Sequence, residues 1–178
     1  PWNFPLSTTA WKLAPAIATG NSVILKPASN TPLTALAIAG LAKEAGLPDG
    51  VLQVLPGSGA SLGAHLATHM DIEGLTFTGS TPVGKQLMEY SGQSNLKRTF
   101  LELGGKSPNI VFADADLDAA ASMAATAVFF NGGQTCTAGT RLLVEKSIAE
   151  EFIAKVIEAT KGWAPGNPLD PDTAMGPM

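Results

Sequence analysis

The sequence predicts an α/β chain of parallel βαβ units that passes into the start of a second α/β domain. Three observations carry this. Apolar strand-like runs alternate with helical stretches at intervals of about 25 residues through the first hundred positions. Glycine and proline punctuate the junctions between them. After Gly104-Gly105 the texture changes to short strands, an alanine-rich helix and a turn-rich loop around the single cysteine, Cys136.

The first helix is expected over 8–19, rich in Ala and Leu. Asn21 to Pro27 reads as a buried strand stopped by its proline. Thr31-Pro32 predicts the next helix, with Thr31 as N-cap and apolar residues Leu33, Leu36, Ala37 and Leu41 at helical spacing. Gly46 ends it, and Pro48-Asp49-Gly50 turns into a strand over 51–55. After Pro56-Gly57-Ser58-Gly59 a short helix runs through Leu62 and Leu66. Strands follow at 74–78 and 98–103, with a helix to about Tyr90 between them. Beyond the boundary near Gly104, strands are expected at 109–112 and 141–145. Helices are expected at 117–130, led in by Asp114, Asp116 and Asp118, and at 149–161.

Composition excludes several classes. Apolar residues make up 45% and charged residues 15%, a globular balance with material for a core. A net charge of −4 without like-charge runs argues against a nucleic-acid surface. The longest apolar stretches are too short to span a bilayer as a helix. The chain opens at Pro1 without an initiator methionine and closes straight after a turn-like stretch, so it reads as a piece of a longer protein. A lone cysteine points weakly to a cytoplasmic setting.

Cys136 cannot form an internal disulfide, and one thiolate cannot build a zinc site. A small core residue or a nucleophile remains. Its loop, Asn131-Gly132-Gly133-Gln134-Thr135-Cys136, is small, polar and turn-rich, which favours the nucleophile. Glu102 ends an apolar strand, where parallel sheets bind ligands; it reads either as a general base or as a surface carboxylate paired with Arg98 or Lys106. Thr78-Gly79-Ser80-Thr81-Pro82 joins a strand to a helix whose first amides suit a pyrophosphate, or is an ordinary capped helix. Gly79 to Lys85 supplies G-x-x-x-x-G-K, but Gln86 replaces the hydroxyl residue of a P-loop. Lys26 reads as a ligand for hydroxyls or phosphate, or as a surface lysine. Asn3, between Trp2 and Phe4, could donate to an oxyanion. His65 and His69 lack the intervening glutamate of a zinc helix, and the three aspartates lack a calcium loop's glycine and glutamate.

Taken in order, Pro1-Trp2-Asn3-Phe4-Pro5, Lys26-Pro27-Ala28-Ser29, Phe77-Thr78-Gly79-Ser80, Leu101-Glu102-Leu103-Gly104-Gly105-Lys106-Ser107-Pro108 and Gly133-Gln134-Thr135-Cys136 resemble the aldehyde dehydrogenase superfamily over essentially the whole chain. The resemblance implies a Rossmann-like parallel-sheet cofactor domain over 1–104 and the N-terminal part of the catalytic domain over 105–178, truncated at both ends. It implies NAD(P)-dependent oxidation of an aldehyde to a carboxylic acid. Cys136 is then the nucleophile, Glu102 the general base, and Asn3 with the Cys136 backbone N–H the oxyanion hole. Lys26 is implied to hold the adenine ribose, Ser80 the pyrophosphate, Gly59 and Val83 the adenine, and Trp2 the cofactor wall. Gly79, Leu103 and Gly104 are implied to line the same cofactor.

Many relatives carry glutamate where this chain has Ser29. That carboxylate repels a 2′-phosphate, so Ser29 implies that NADP is accepted as well as NAD. The stretches 88–98 and 162–171 resemble the branch that oxidises ω-amino, γ-glutamylamino or guanidino aldehydes. A homodimer or homotetramer is implied for the parent. The competing readings are a CoA-acylating relative, which Glu102 disfavours, and an inactive fragment or structural relative. The isolated chain is expected to be inactive and, with apolar faces exposed, prone to aggregation.

Overall fold

The computed structural model describes residues 1–177 and forms two compact units, Pro1–Leu103 and Gly104–Met178.

In the first unit, α1 (Pro5–Ala18) starts three residues earlier than its apolar spacing suggests, because Pro5 supplies the preset φ of a first helical residue. Phe4 takes the flanking position, and its carbonyl accepts from the Thr8 N–H at 3.0 Å and from the Thr8 hydroxyl. β1 (Val23–Leu25) follows, then α2 (Leu33–Glu44). Thr31 is not the N-cap of α2. Pro32 occupies that position with helical angles, and the Thr31 hydroxyl is buried without a hydrogen-bond partner. The physical reason is the proline: its ring sets φ to helical values one residue later than a threonine cap requires.

β2 (Leu52–Val54) pairs parallel with β1, Val23 opposite Leu52 and Leu25 opposite Val54. A π-helical turn over Gly59–Gly63, capped by the Ser58 hydroxyl accepting from the Ala60 N–H, leads into α3 (Ala64–Thr68). β3 (Gly74–Gly79), α4 (Thr81–Gly92) and β4 (Arg98–Leu103) form a βαβ unit, with Gly74 opposite Arg98 and Gly79 opposite Leu103. All these pairings are parallel, as βαβ spacing requires. They close as separate two-stranded ladders.

The buried apolar side chains of this unit include Leu13, Ala35, Ala67 and Leu87. β4 alternates: Thr99, Leu101 and Leu103 face inward, while Arg98, Phe100 and Glu102 are exposed. Phe100 is 62% exposed.

In the second unit, β5 (Pro108–Val111) pairs parallel with β6 (Arg141–Val144). α5 (Leu117–Phe129) and α6 (Ala149–Thr160) close over Val111, Ala121, Ala124 and the fully buried Phe152. The small alanines of α5 let the two helices approach. Asp116 caps α5, accepting from the Asp118 and Ala119 N–H groups at 3.1 Å each. Asp118 pairs with Lys155 of α6. The acidic lead-in thus serves the helix start and the α5–α6 contact.

Candidate functional site

Lys26 and Ser29 lie just past the carboxyl end of β1, and Gly57 lies just past that of β2. The register that aligns Leu25 with Val54 brings them together. The Lys26 ammonium donates to the Pro27 carbonyl at 2.7 Å and to the Gly57 carbonyl at 3.2 Å. The Ser29 hydroxyl donates to the same Gly57 carbonyl at 3.2 Å. The Lys26 stem runs beside Gly63, at the end of the turn that opens with Gly59: a Cβ there would lie 3.8 Å from Lys26 Cδ and Cε. Partial burial lowers the Lys26 pKa. Gly57 packs closely here: a Cβ would meet Leu62 Cδ2 at 2.8 Å, so a side chain would require Leu62 to shift. One loop cluster therefore holds Lys26, Ser29 and Gly57, with Gly63 beside the Lys26 stem.

A second cluster lies where β3 passes into α4. Ser80 is extended (φ −77°, ψ 147°) and makes no side-chain cap, so its hydroxyl is not spent on the helix start. Pro82 contributes no N–H, and the Gly84 N–H is taken by the Ser80 carbonyl at 3.0 Å. The Thr81 and Val83 N–H groups have no intrahelical acceptor by helix geometry. With the Ser80 hydroxyl they form a small, exposed donor set that fits a phosphate oxygen. Gly79 lies under the Phe77 ring, where a Cβ would meet Cζ at 2.5 Å. Leu103, opposite Gly79, backs the helix.

Glu102 stands opposite Thr78 near the end of β4, on the exposed face of the ladder. Thr76 shares that face, and Lys12 from α1 donates to its hydroxyl at 3.0 Å. Burial lowers the Lys12 pKa, while the Glu102 carboxylate acts in the opposite direction. Lys12 was not apparent as a site residue from the sequence. The available signal was its isolation: it is the one charged side chain in the fourteen residues of α1. Trp2, largely exposed, and Asn3, half-buried, directly precede that helix.

In the second unit, Cys136 is half-buried in the loop after α5. Asn131 (φ 55°, ψ 33°), Gly132 (φ 62°, ψ 27°) and Gly133 (φ 75°) run consecutively left-handed. A Cβ on Gly133 would also press on the Val128 carbonyl at 3.1 Å. The Ala138 N–H donates to the Thr135 carbonyl at 3.2 Å, closing a turn around Cys136. The Thr135 hydroxyl is buried without a partner. Gly105 lies beside the Cys136 carbonyl, 3.6 Å from where its Cβ would be, and Gly104 is exposed.

His65 and His69 meet edge to face at 5.4 Å, and His69 Nδ1 accepts from the Asp71 N–H. Among the described residues no group of three or more His, Cys, Asp or Glu could hold a metal ion, and no helix is long and apolar enough to cross a membrane.

The Aldehyde dehydrogenase family model matches residues 1–178. The chain is 59% identical over its whole length to the NADP/NAD-dependent aldehyde dehydrogenase PuuC of Escherichia coli, covering 36% of it. Among solved structures it is similar to the aldehyde dehydrogenase KauB of Pseudomonas aeruginosa, with TM-score 0.97 and 65% identity over 98% of this chain and 36% of that one. It is also similar to the gamma-glutamyl-gamma-aminobutyraldehyde dehydrogenase of Burkholderia cenocepacia, with TM-score 0.96 and 57% identity over 99% of this chain and 36% of that one. The chain spans about a third of the length of these relatives.

Proposed function

The chain belongs to the aldehyde dehydrogenase family, and from that premise we propose that it carries the cofactor loops and reactive groups of an NAD(P)-dependent oxidation of an aldehyde to a carboxylic acid. The support is the continuity of the match, which runs through Asn3, Glu102 and Cys136 alike. In this reading the first unit is the cofactor domain and the second begins the catalytic domain.

Lys26 and Ser29 hold the adenine ribose, beside Gly59 and Val83. Ser80 and the first amides of α4 hold the pyrophosphate, with Gly79, Leu103 and Gly104 lining the cofactor and Trp2 forming its wall. The nicotinamide, when bound, accepts a hydride. The chain's own groups do the rest. The Cys136 thiolate adds to the carbonyl carbon of the aldehyde, because an aldehyde has no leaving group and must first become tetrahedral. The Asn3 amide and the Cys136 backbone N–H donate to the resulting oxyanion. After oxidation the acyl group is a thioester on Cys136. Glu102 takes a proton from water, which attacks that thioester, and the Cys136 thiolate leaves.

The cofactor is NAD or NADP. Ser29 presents no carboxylate to a 2′-phosphate, and a relative 59% identical is an NADP/NAD-dependent enzyme. The aldehyde is an ω-amino or γ-glutamylamino aldehyde, a reading supported by the likeness to the Burkholderia enzyme. A homodimer or homotetramer in the cytoplasm belongs to the same proposal. Release to CoA instead of water is disfavoured by Glu102, which that chemistry does not need.

The test is trapping in the protein that carries this chain. Glu102→Gln should still form a stoichiometric acyl adduct on Cys136, visible by mass spectrometry, and turn over slowly. Cys136→Ala should form none. An adduct on another residue, or wild-type turnover by Glu102→Gln, sinks the assignment.

A further inference from the structure

The sequence contains a single Asn-Gly dipeptide, Asn131-Gly132. It is exposed at Asn131 and lies in the left-handed run that leads to Cys136. Asn131 ties that run to the next turn twice. Its carbonyl accepts from the Gln134 N–H at 3.2 Å, and its Nδ2 donates to the Gln134 carbonyl at 3.3 Å.

An asparagine followed by glycine is open to attack by its own backbone. The peptide nitrogen of the next residue must reach the side-chain carbon, and a Cβ on that residue stands in the way; glycine has none. Asn21 and Asn95 contrast with this site, because each is followed by a residue with a side chain, Ser22 and Leu96.

We propose that Asn131 is a site of spontaneous deamidation and isoaspartate formation, and that its conversion loosens the loop that presents Cys136. The Gly132 nitrogen, losing its proton to base, bonds to Asn131 Cγ. The Cγ–Nδ2 bond breaks, and the nitrogen leaves with a proton as ammonia. Water then opens the cyclic imide at one of its two carbonyls, giving aspartate or the β-linked isoaspartate. Nothing is oxidised or reduced, and one water is consumed.

Either product breaks the second tie. A carboxylate oxygen replaces the donor that faced the Gln134 carbonyl, setting acceptor against acceptor. The β-linkage also adds a methylene to the backbone within a run that depends on three successive left-handed residues. The new negative charge disfavours a thiolate in the same loop. The effect on Cys136 rests on the nucleophile reading; the modification itself does not.

The folded protein that carries this chain is held in mildly alkaline buffer and sampled over days. Peptide mapping by mass spectrometry reads Asn, Asp and isoaspartate at residues 131, 21 and 95. Iodoacetamide labelling of the same samples reads Cys136. Asn131 should convert several-fold faster than Asn21 or Asn95, with isoaspartate the main product. Converted molecules, and Asn131→Asp, should alkylate several-fold more slowly. Persistence of the Asn131 amide in the folded chain while the urea-unfolded chain converts would overturn the site. Conversion with unchanged alkylation would overturn its coupling to Cys136. Neither readout requires dehydrogenase activity.

Discussion

A methyl group on Gly84 would lie 2.7 Å from Leu103 Cδ2. α4 therefore rests on β4 so closely that any side chain at position 84 requires Leu103 to shift. The helix whose first turn is proposed to hold the pyrophosphate is thereby seated on the strand that carries Glu102. Gly84→Ala should force Leu103 off its rotamer or push the helix away, at a cost of about 1–3 kcal/mol. Chemical denaturation of the pair measures it. An unchanged midpoint would show that Leu103 yields freely.

Lys97 is 5% exposed, and its ammonium donates to the Ala67 carbonyl at 2.7 Å and to the Ser94 hydroxyl at 2.8 Å. Burial lowers its pKa below the ordinary lysine value. Lys97→Met leaves both partners without their donor and should destabilise by about 1–3 kcal/mol at neutral pH. The sign with pH follows from linkage. Between the lowered folded pKa and the unfolded value of about 10.4, the unfolded chain binds the proton that the fold releases. The cost of burying the charge is thus relieved as pH rises through that window. Wild-type stability relative to Lys97→Met should rise there and stay flat below it.

Asp116 caps α5, the helix that delivers the Cys136 loop. Asp116→Ala removes both cap acceptors and should cost about 1 kcal/mol, with Asp116→Asn recovering most of it. Thermal unfolding of the three proteins is the check.

The Asn3 amide is proposed to donate to the oxyanion. Asn3→Ala in the parent enzyme should lower kcat by about 100- to 1000-fold, the usual contribution of one such donor. A change confined to KM would move Asn3 out of the oxyanion hole.

Ser29 donates to the Gly57 carbonyl beside Lys26 and brings no negative charge. Ser29→Glu should lower kcat/KM for NADP relative to NAD by at least about tenfold, or ~1.4 kcal/mol. A strong NAD preference already present in the wild type, and unaltered by the substitution, would end the proposal of dual cofactor use.

The strand ends that carry the proposed site were legible as sequence because their signals are local. Lys26-Pro27, Gly79-Ser80 and Glu102-Leu103 each mark a strand end, and strand ends are set by short-range propensity. Thr31 misled because a threonine before a proline reads as a cap, whereas the proline itself took that position. Lys12 went unseen because its significance lies across the ladder, at Thr76, 64 residues away.

The order of strands and helices, the cap at Asp116, the glycines at the turns and the turn-rich loop around Cys136 were determined by the sequence alone. Each depends on atoms within a few residues of one another, where covalent geometry and backbone preference dominate. Tertiary structure decided which strands pair, that Lys12 and Glu102 act on the same face, and that Lys97 is buried under a carbonyl 30 residues away. Those outcomes depend on where the chain returns in space, which burial and hydrogen-bond satisfaction select over the whole unit.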